Sequence, residues 1–210
     1  MRLRLRQNYY LCSMKEEKGK ICVFAASSAR IDKQYNDAAY ELGRVMAEHG
    51  WGCVNGSGGM GLMRSVSDGM LDAGGHVTGV IPKFMVDNGW GYDRVSEEII
   101  TADMHERKEM MSNLSDAVVA LPGGCGTLEE LLEVITWRQL AIITKPIVML
   151  NTNGYFDPLV EMLNRSVEEG FMKHTHCCLW TVAATPQEAV EAIEKQLAEG
   201  VAVSDTKFYD

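Results

Sequence analysis

From residue 21 onward, short apolar runs alternate with longer segments of helical period, and that alternation predicts an element plan. Residues 21–26 (ICVFAA) are uniformly apolar and read as a strand buried on both faces. Over residues 35–50, Ala38, Ala39, Leu42, Val45 and Met46 share one helical face, and Gly50 ends the helix. Residues 51–55 read as a second strand, followed by a glycine-rich turn and a helix to about residue 73. A third strand spans 76–81 and stops at Pro82. Residues 83–103 show neither period and read as loop. A helix over 104–114, a fourth strand over 117–121, an amphipathic helix over 127–142 and a fifth strand over 146–150 follow. Asp157 and Pro158 offer an N-cap and an N1 proline for a helix to residue 169. Residues 179–182 read as a short final strand. Thr185-Pro-Gln-Glu188 is a capping box ahead of a last helix that Gly200 ends.

Strands of about five residues separated by helices imply a parallel sheet covered on both faces. The expected fold class is therefore α/β, a Rossmann-like doubly wound sheet in a single domain over residues 20–200. Residues 1–19, with an in-frame Met14, read as a flexible or disordered N-terminal extension, and 201–210 as a C-terminal tail. Composition leaves this unchanged: 46% hydrophobic and 23% charged residues are ordinary for a globular chain. The charge does narrow the partners. With 20 Lys plus Arg against 29 Asp plus Glu, the net charge of −9 argues against a nucleic-acid polymer or an anionic membrane. A small anion in a locally positive pocket remains compatible. No apolar run approaches the roughly 20 residues of a membrane span. The six cysteines include no CxxC pair, and with no secretion signal they point to a reducing cytoplasm.

Candidate chemistry gathers in two glycine turns. In Asn55-Gly-Ser-Gly-Gly-Met-Gly61, Gly56, Gly58 and Gly61 fit GxGxxG. A dinucleotide site also needs an acid about 20 residues on, at the end of the next strand. Ile81-Pro-Lys83 provides none there. The remaining readings are a tight turn alone, or backbone amides and a helix N-terminus facing a phosphate. Leu121-Pro-Gly-Gly-Cys-Gly-Thr127 repeats the arrangement, with Thr127 a candidate N-cap and Glu130 reaching back from N3. Cys125 reads as part of this turn rather than as a nucleophile. His174-Thr-His-Cys-Cys178 lacks zinc-ligand spacing, so no metal is expected.

Pro122-Gly-Gly-Cys-Gly-Thr-Leu-Glu-Glu130 resembles the PGGxGTxxE motif of the Lonely Guy family, and Met104-His-Glu-Arg-Lys108 resembles its second signature, MHxRK. Gly58-Gly-Met-Gly-Leu-Met63, Leu132-Glu-Val-Ile-Thr-Trp137 and Asn153-Gly-Tyr-Phe-Asp157 are similar too, so the resemblance spans roughly residues 21–172. Members are nucleotide-binding α/β proteins that hydrolyse cytokinin riboside 5′-monophosphates and, in many bacterial members, AMP. The resemblance implies a purine nucleoside 5′-monophosphate substrate, N-glycosidase chemistry without a cofactor, and a homodimer or higher homo-oligomer. By position it makes Arg107 and Glu130 the catalytic pair. It assigns nucleotide contacts to Ser27, Met104, Lys108, Gly123, Gly124, Cys125, Gly126, Thr127, Leu128, Glu129 and Thr136. Gly58, Gly59 and Gly61 shape the first phosphate-side turn. The chain departs from the family at Gly56-Ser-Gly-Gly59, where GGGS is usual, and at Phe24-Ala-Ala-Ser-Ser28, where FCGSS is usual. Many plant members also carry a substrate-binding Glu in the stretch that here reads Val86-Asp-Asn-Gly-Trp90. Two other readings stand beside this one. Molybdenum-cofactor carriers share the fold and glycine motif, and the family has been labelled lysine decarboxylase, although no pyridoxal-phosphate lysine context is recognisable.

Overall fold

The computed structural model describes residues 17–200. Its strands are β1 (Gly19–Phe24), β2 (Trp51–Asn55), β3 (Val77–Pro82), β4 (Glu97–Thr101), β5 (Ala117–Ala120), β6 (Ile147–Leu150) and β7 (Thr181–Ala183). Its helices are α1 (Lys33–Glu48), α2 (Gly61–Asp72), α3 (Lys83–Asp87), α4 (Met104–Asn113), α5 (Cys125–Gln139), α6 (Asp157–Glu168) and α7 (Pro186–Glu199). All strand pairs are parallel, and the seven strands lie in the order β4-β3-β2-β1-β5-β6-β7. This is the doubly wound sheet that the alternating pattern predicts.

Successive residues of a strand face opposite sides of the sheet, so one strand serves two cores. Ile21 and Val23 of β1 pack with Leu42 and Met46 of α1, Val66 of α2 and Ile193 of α7. Cys22 and Phe24 pack on the other face with Met111 of α4, Leu131 of α5 and Leu163 of α6. α1 and α2 touch almost backbone to backbone. A Cβ on Gly69 would lie 1.9 Å from the Tyr40 carbonyl oxygen, and one on Gly43 would lie 2.1 Å from that of Val66. Among the described residues, no helix is long and apolar enough to cross a membrane.

The structure corrects several element assignments. Residues 83–103 are not loop throughout, because they contain α3 and the edge strand β4. Glu97 and Glu98 give β4 a charged, exposed start that conceals it from a hydrophobic pattern. The last strand begins at Thr181, two residues later than expected, and His174–Cys178 ahead of it is a short 3-10 helix. Asp157 is the first residue of α6, whose N-cap is Phe156. Residues 1–16 of the expected extension and the tail over 201–210 lie outside the described residues. Lys18 already donates to the Gly50 carbonyl at 2.8 Å, just ahead of β1.

Strand order reverses at β1, whose neighbours are β2 and β5. In open parallel sheets, the crevice at such a switch point receives ligands at the carboxyl ends of the strands. The chain leaves β5 there through the second glycine turn.

Candidate active site

α5 begins two residues before the expected capping box. Gly124 caps it in an extended conformation, with no side-chain hydrogen bond to the first turn. Thr127 is therefore the third helical residue rather than the cap, and Glu130 does not reach back. A glycine at the cap leaves the leading amides of a 15-residue helix without a side-chain acceptor. Gly124, Cys125 and Gly126 are exposed. A side chain at Gly124 or Gly126 would meet nothing within 4 Å. An open, uncapped N-terminus of this kind binds anions. Gly123 differs, since a Cβ there would lie 2.1 Å from Thr127 Oγ1.

Beyond that turn, Glu130 is only 9% exposed. Burial pushes its carboxyl up to about 7, an effect that the nearby Arg107 guanidinium offsets in part. Arg107 comes from α4, whose start is set by Asp103 accepting from the amides of His105 (2.8 Å) and Glu106 (2.9 Å). Its side chain is 5% exposed and ties two strand ends together. Nε donates to the Val80 carbonyl at 3.1 Å, and Nη2 donates to that of Gly56 at 3.0 Å. Gly56 has to be glycine for this approach, because a Cβ would lie 1.7 Å from Nη2. Nη1 faces two thioethers, Met104 Sδ at 3.6 Å and Met85 Sδ at 3.9 Å. Burial depresses the Arg107 pKa, against the charge of Glu130. Arg107 and Glu130 thus feel each other's charge, and among the described residues Nη1 has only the two thioether sulfurs as acceptors.

Lys108 fastens α4 to α5. Its ammonium lies 2.5 Å from Glu129 Oε1 and 3.1 Å from Glu133 Oε1. The adjacent carboxylates Glu129 and Glu130 are thereby distinguished: Glu129 balances a lysine, and Glu130 turns inward. Thr136 is exposed further along α5, its hydroxyl donating to the Leu132 carbonyl at 2.8 Å. Ser27 is exposed beyond the end of β1, and Leu128 packs against the core beneath α5.

The first glycine turn uses its amides internally. Gly58 N–H donates to Met63 Sδ at 2.9 Å and Gly59 N–H to the Trp90 carbonyl at 3.2 Å. A Cβ on Gly61 would lie 2.5 Å from the Ser28 carbonyl oxygen, so the start of α2 is packed against the chain after β1. The two glycine turns also flank β1 rather than ending adjacent strands. The structure therefore brings Arg107 within electrostatic reach of Glu130 and sets Met104 Sδ beside it, while the amides of Gly58 and Gly59 are bonded within the protein. The Gly56 carbonyl is this turn's direct contribution.

Two features escaped the sequence. Residues 88–96 form a strap held on α2, where Asp68 accepts from both Tyr92 and Arg94, and Arg94 also reaches Asp72 at 2.8 Å. Tyr155 donates to the Gly123 carbonyl at 2.7 Å, 32 positions away along the chain. The strap has no local signal, and although Tyr155 lies in the family-like stretch 153–157, its contact with Gly123 joins residues that only the fold makes neighbours.

Comparison with known proteins agrees with this geometry. A family model described as "possible lysine decarboxylase" matches residues 63–193. An Arabidopsis thaliana protein named cytokinin riboside 5′-monophosphate phosphoribohydrolase is 42% identical over 191 residues, covering 91% of this chain and 90% of its own. The chain belongs to the Lonely Guy family. An Oryza sativa relative with the same name is 43% identical over 180 residues, covering 86% of this chain and 74% of its own. Among solved structures, the molybdenum cofactor carrier protein of Chlamydomonas reinhardtii superposes with a TM-score of 0.67 at 28% identity, covering 87% of this chain and 99% of the carrier. Membership of the Lonely Guy family extends the likeness past residue 172, into α7.

Proposed function

We propose that this protein cleaves the N-glycosidic bond of a purine nucleoside 5′-monophosphate, AMP or a cytokinin riboside 5′-monophosphate, releasing free base and ribose 5-phosphate. The observation that carries the reading is a buried carboxylate, Glu130, set beyond an open helix N-terminus and opposite the buried Arg107. Relatives named phosphoribohydrolases at 42–43% identity support it.

The 5′-phosphate sits on the amides of residues 124–127, where the α5 dipole favours an anion. Holding the phosphate there orients the ribose toward Glu130, so binding energy from a non-reacting group positions the reacting one. As the C1′–N bond breaks, its electron pair leaves with the base and positive charge builds on the ribose ring. The ionised Glu130 carboxylate stabilises that charge and positions the attacking water. Water oxygen bonds to C1′, and its proton ends on the departing base. Arg107 contributes through Nη1, the guanidinium nitrogen facing thioether sulfurs rather than carbonyls. Its fixed planar fork keeps that donor aimed. Lys108 contributes by holding α4 against α5.

The carrier reading has less support. The carrier superposes well, but at 28% identity against 42% for a named hydrolase. The test is chromatographic detection of free base and ribose 5-phosphate from AMP and from isopentenyladenosine monophosphate, with Glu130→Gln as control. Nucleotide recovered intact after prolonged incubation with the wild type would favour the carrier.

A homodimer belongs to the same proposal. Leu140 and Ile142 just after α5, Met162 on α6 and Phe171 just after α6 are exposed apolar side chains, the last 81% exposed. An apolar surface of this kind fits a subunit contact. A reducing cytoplasm suits the free thiols Cys22, Cys53, Cys125, Cys177 and Cys178.

A further inference from the structure

The segment joining β6 to α6 is built to present one side chain. Asn151 closes it, accepting from the Phe156 amide through Oδ1 at 2.7 Å and donating to Asp157 through Nδ2 at 2.7 Å. Within that turn, the Tyr155 ring meets Tyr35 of α1 edge-on at 6.0 Å and Phe156 at 5.4 Å. Aromatic neighbours from two elements therefore fix where its hydroxyl lies. That hydroxyl donates to the Gly123 carbonyl at 2.7 Å, on the peptide that leads into the cap residue Gly124.

The geometry of a trans peptide gives this bond a consequence. The carbonyl of Gly123 and the N–H of Gly124 belong to one planar unit and point in opposite directions. Holding the carbonyl toward Tyr155 aims the Gly124 N–H away from it, on the side where Gly124 is exposed and open. Two consecutive glycines resist rotation of that plane poorly, because neither has a side chain to restrict it. We propose that Tyr155 is a positioning residue for the phosphate seat, locking the Gly123–Gly124 peptide so that its N–H faces the 5′-phosphate of the substrate. This rests on the nucleoside monophosphate reading of the crevice.

Tyr155→Phe removes the hydroxyl and keeps the ring that packs on Tyr35 and Phe156. Losing one oriented donor raises KM for AMP about tenfold. kcat falls by a smaller factor, because the phosphate grip is also what orients the ribose toward Glu130. Ribose 5-phosphate, titrated directly against both proteins, weakens by the same factor, and adenosine binding does not change. An unaltered KM for AMP, or equal weakening of adenosine and AMP, overturns the proposal, since a merely structural role has no preference for the phosphate-bearing ligands. Melting temperatures establish that the variant is folded. Should it not fold, Tyr35→Leu leaves the hydroxyl present but unsupported, with a smaller rise confined to AMP and ribose 5-phosphate; no such rise overturns the idea. If the wild type releases no adenine, the hydrolase reading falls, while the ribose 5-phosphate titration still decides the role of Tyr155.

Discussion

At Glu130, activity and stability pull in opposite directions with pH. Its carboxyl binds a proton more tightly in the folded protein, at about 7 against an ordinary 4.5, because burial penalises the charge. The stability this contributes is full below about pH 4.5 and is lost as pH rises through about 7. In the proposed reaction the ionised form is the one that stabilises positive charge on the ribose. Measured kcat/KM should therefore rise with pH through about 7 and then level off. Glu130→Gln should lower kcat by about 10² to 10³. The same substitution removes the buried charge, so at pH 8 the variant should resist urea better than the wild type, by on the order of 3 kcal/mol. The advantage should vanish near pH 4. A variant no more stable at pH 8 would mean that the carboxylate is better solvated than its burial implies. The motif identified Glu130 in the sequence, but the same letters also spelled a capping box. Only the start of α5 at Cys125 separates the two roles.

The elements were legible where their environment is uniform and obscure where it is not. β2, β3, β5 and β6, and β1 from Ile21 onward, are buried throughout because sheet and helices cover both faces, so their mainly apolar runs stand out. β4 pairs only with β3 at the sheet edge and starts with two exposed glutamates, so its strand character is a property of pairing. The α1–α2 contact was equally silent, since it rests on residues that have no side chain. Gly69→Ala should destabilise the fold by about 2–3 kcal/mol, because its methyl meets the backbone of α1 and overpacking is not relieved by rotation. Chemical denaturation measures this, and a loss below a few tenths of a kcal/mol would show that the helices can separate. The strap makes a different prediction. Asp68→Ala removes the acceptor shared by Tyr92 and Arg94, so amide hydrogen exchange should accelerate across residues 88–96 and stay unchanged in β1 and β5. Uniform acceleration would indicate global destabilisation instead.

Over the whole molecule, a net charge of −9 coexists with a site for an anion. Lys108 adds little to that site's charge, because Glu129 and Glu133 surround it. In the proposed function, the attraction for phosphate comes from the uncapped end of α5 together with Arg107. If the exposed apolar side chains near α5 and α6 form the proposed subunit contact, light scattering should report a dimer, and Leu140→Asp should shift it to monomer by burying a charge there. A dimer unaffected by the substitution would place the interface elsewhere. Sequence by itself determined the α/β class, the succession of the buried strands and the residues of the two signatures. Periodicity and motif spacing are local, and hydrophobic burial acts on them directly. Tertiary structure alone decided that Arg107 bridges the ends of β2 and β3, that Lys108 is balanced, and that the Gly58 and Gly59 amides are bonded within the protein. It also decided that Tyr155 reaches Gly123. Each of these joins groups far apart in the chain, and no local pattern encodes a contact that exists only once the sheet is assembled.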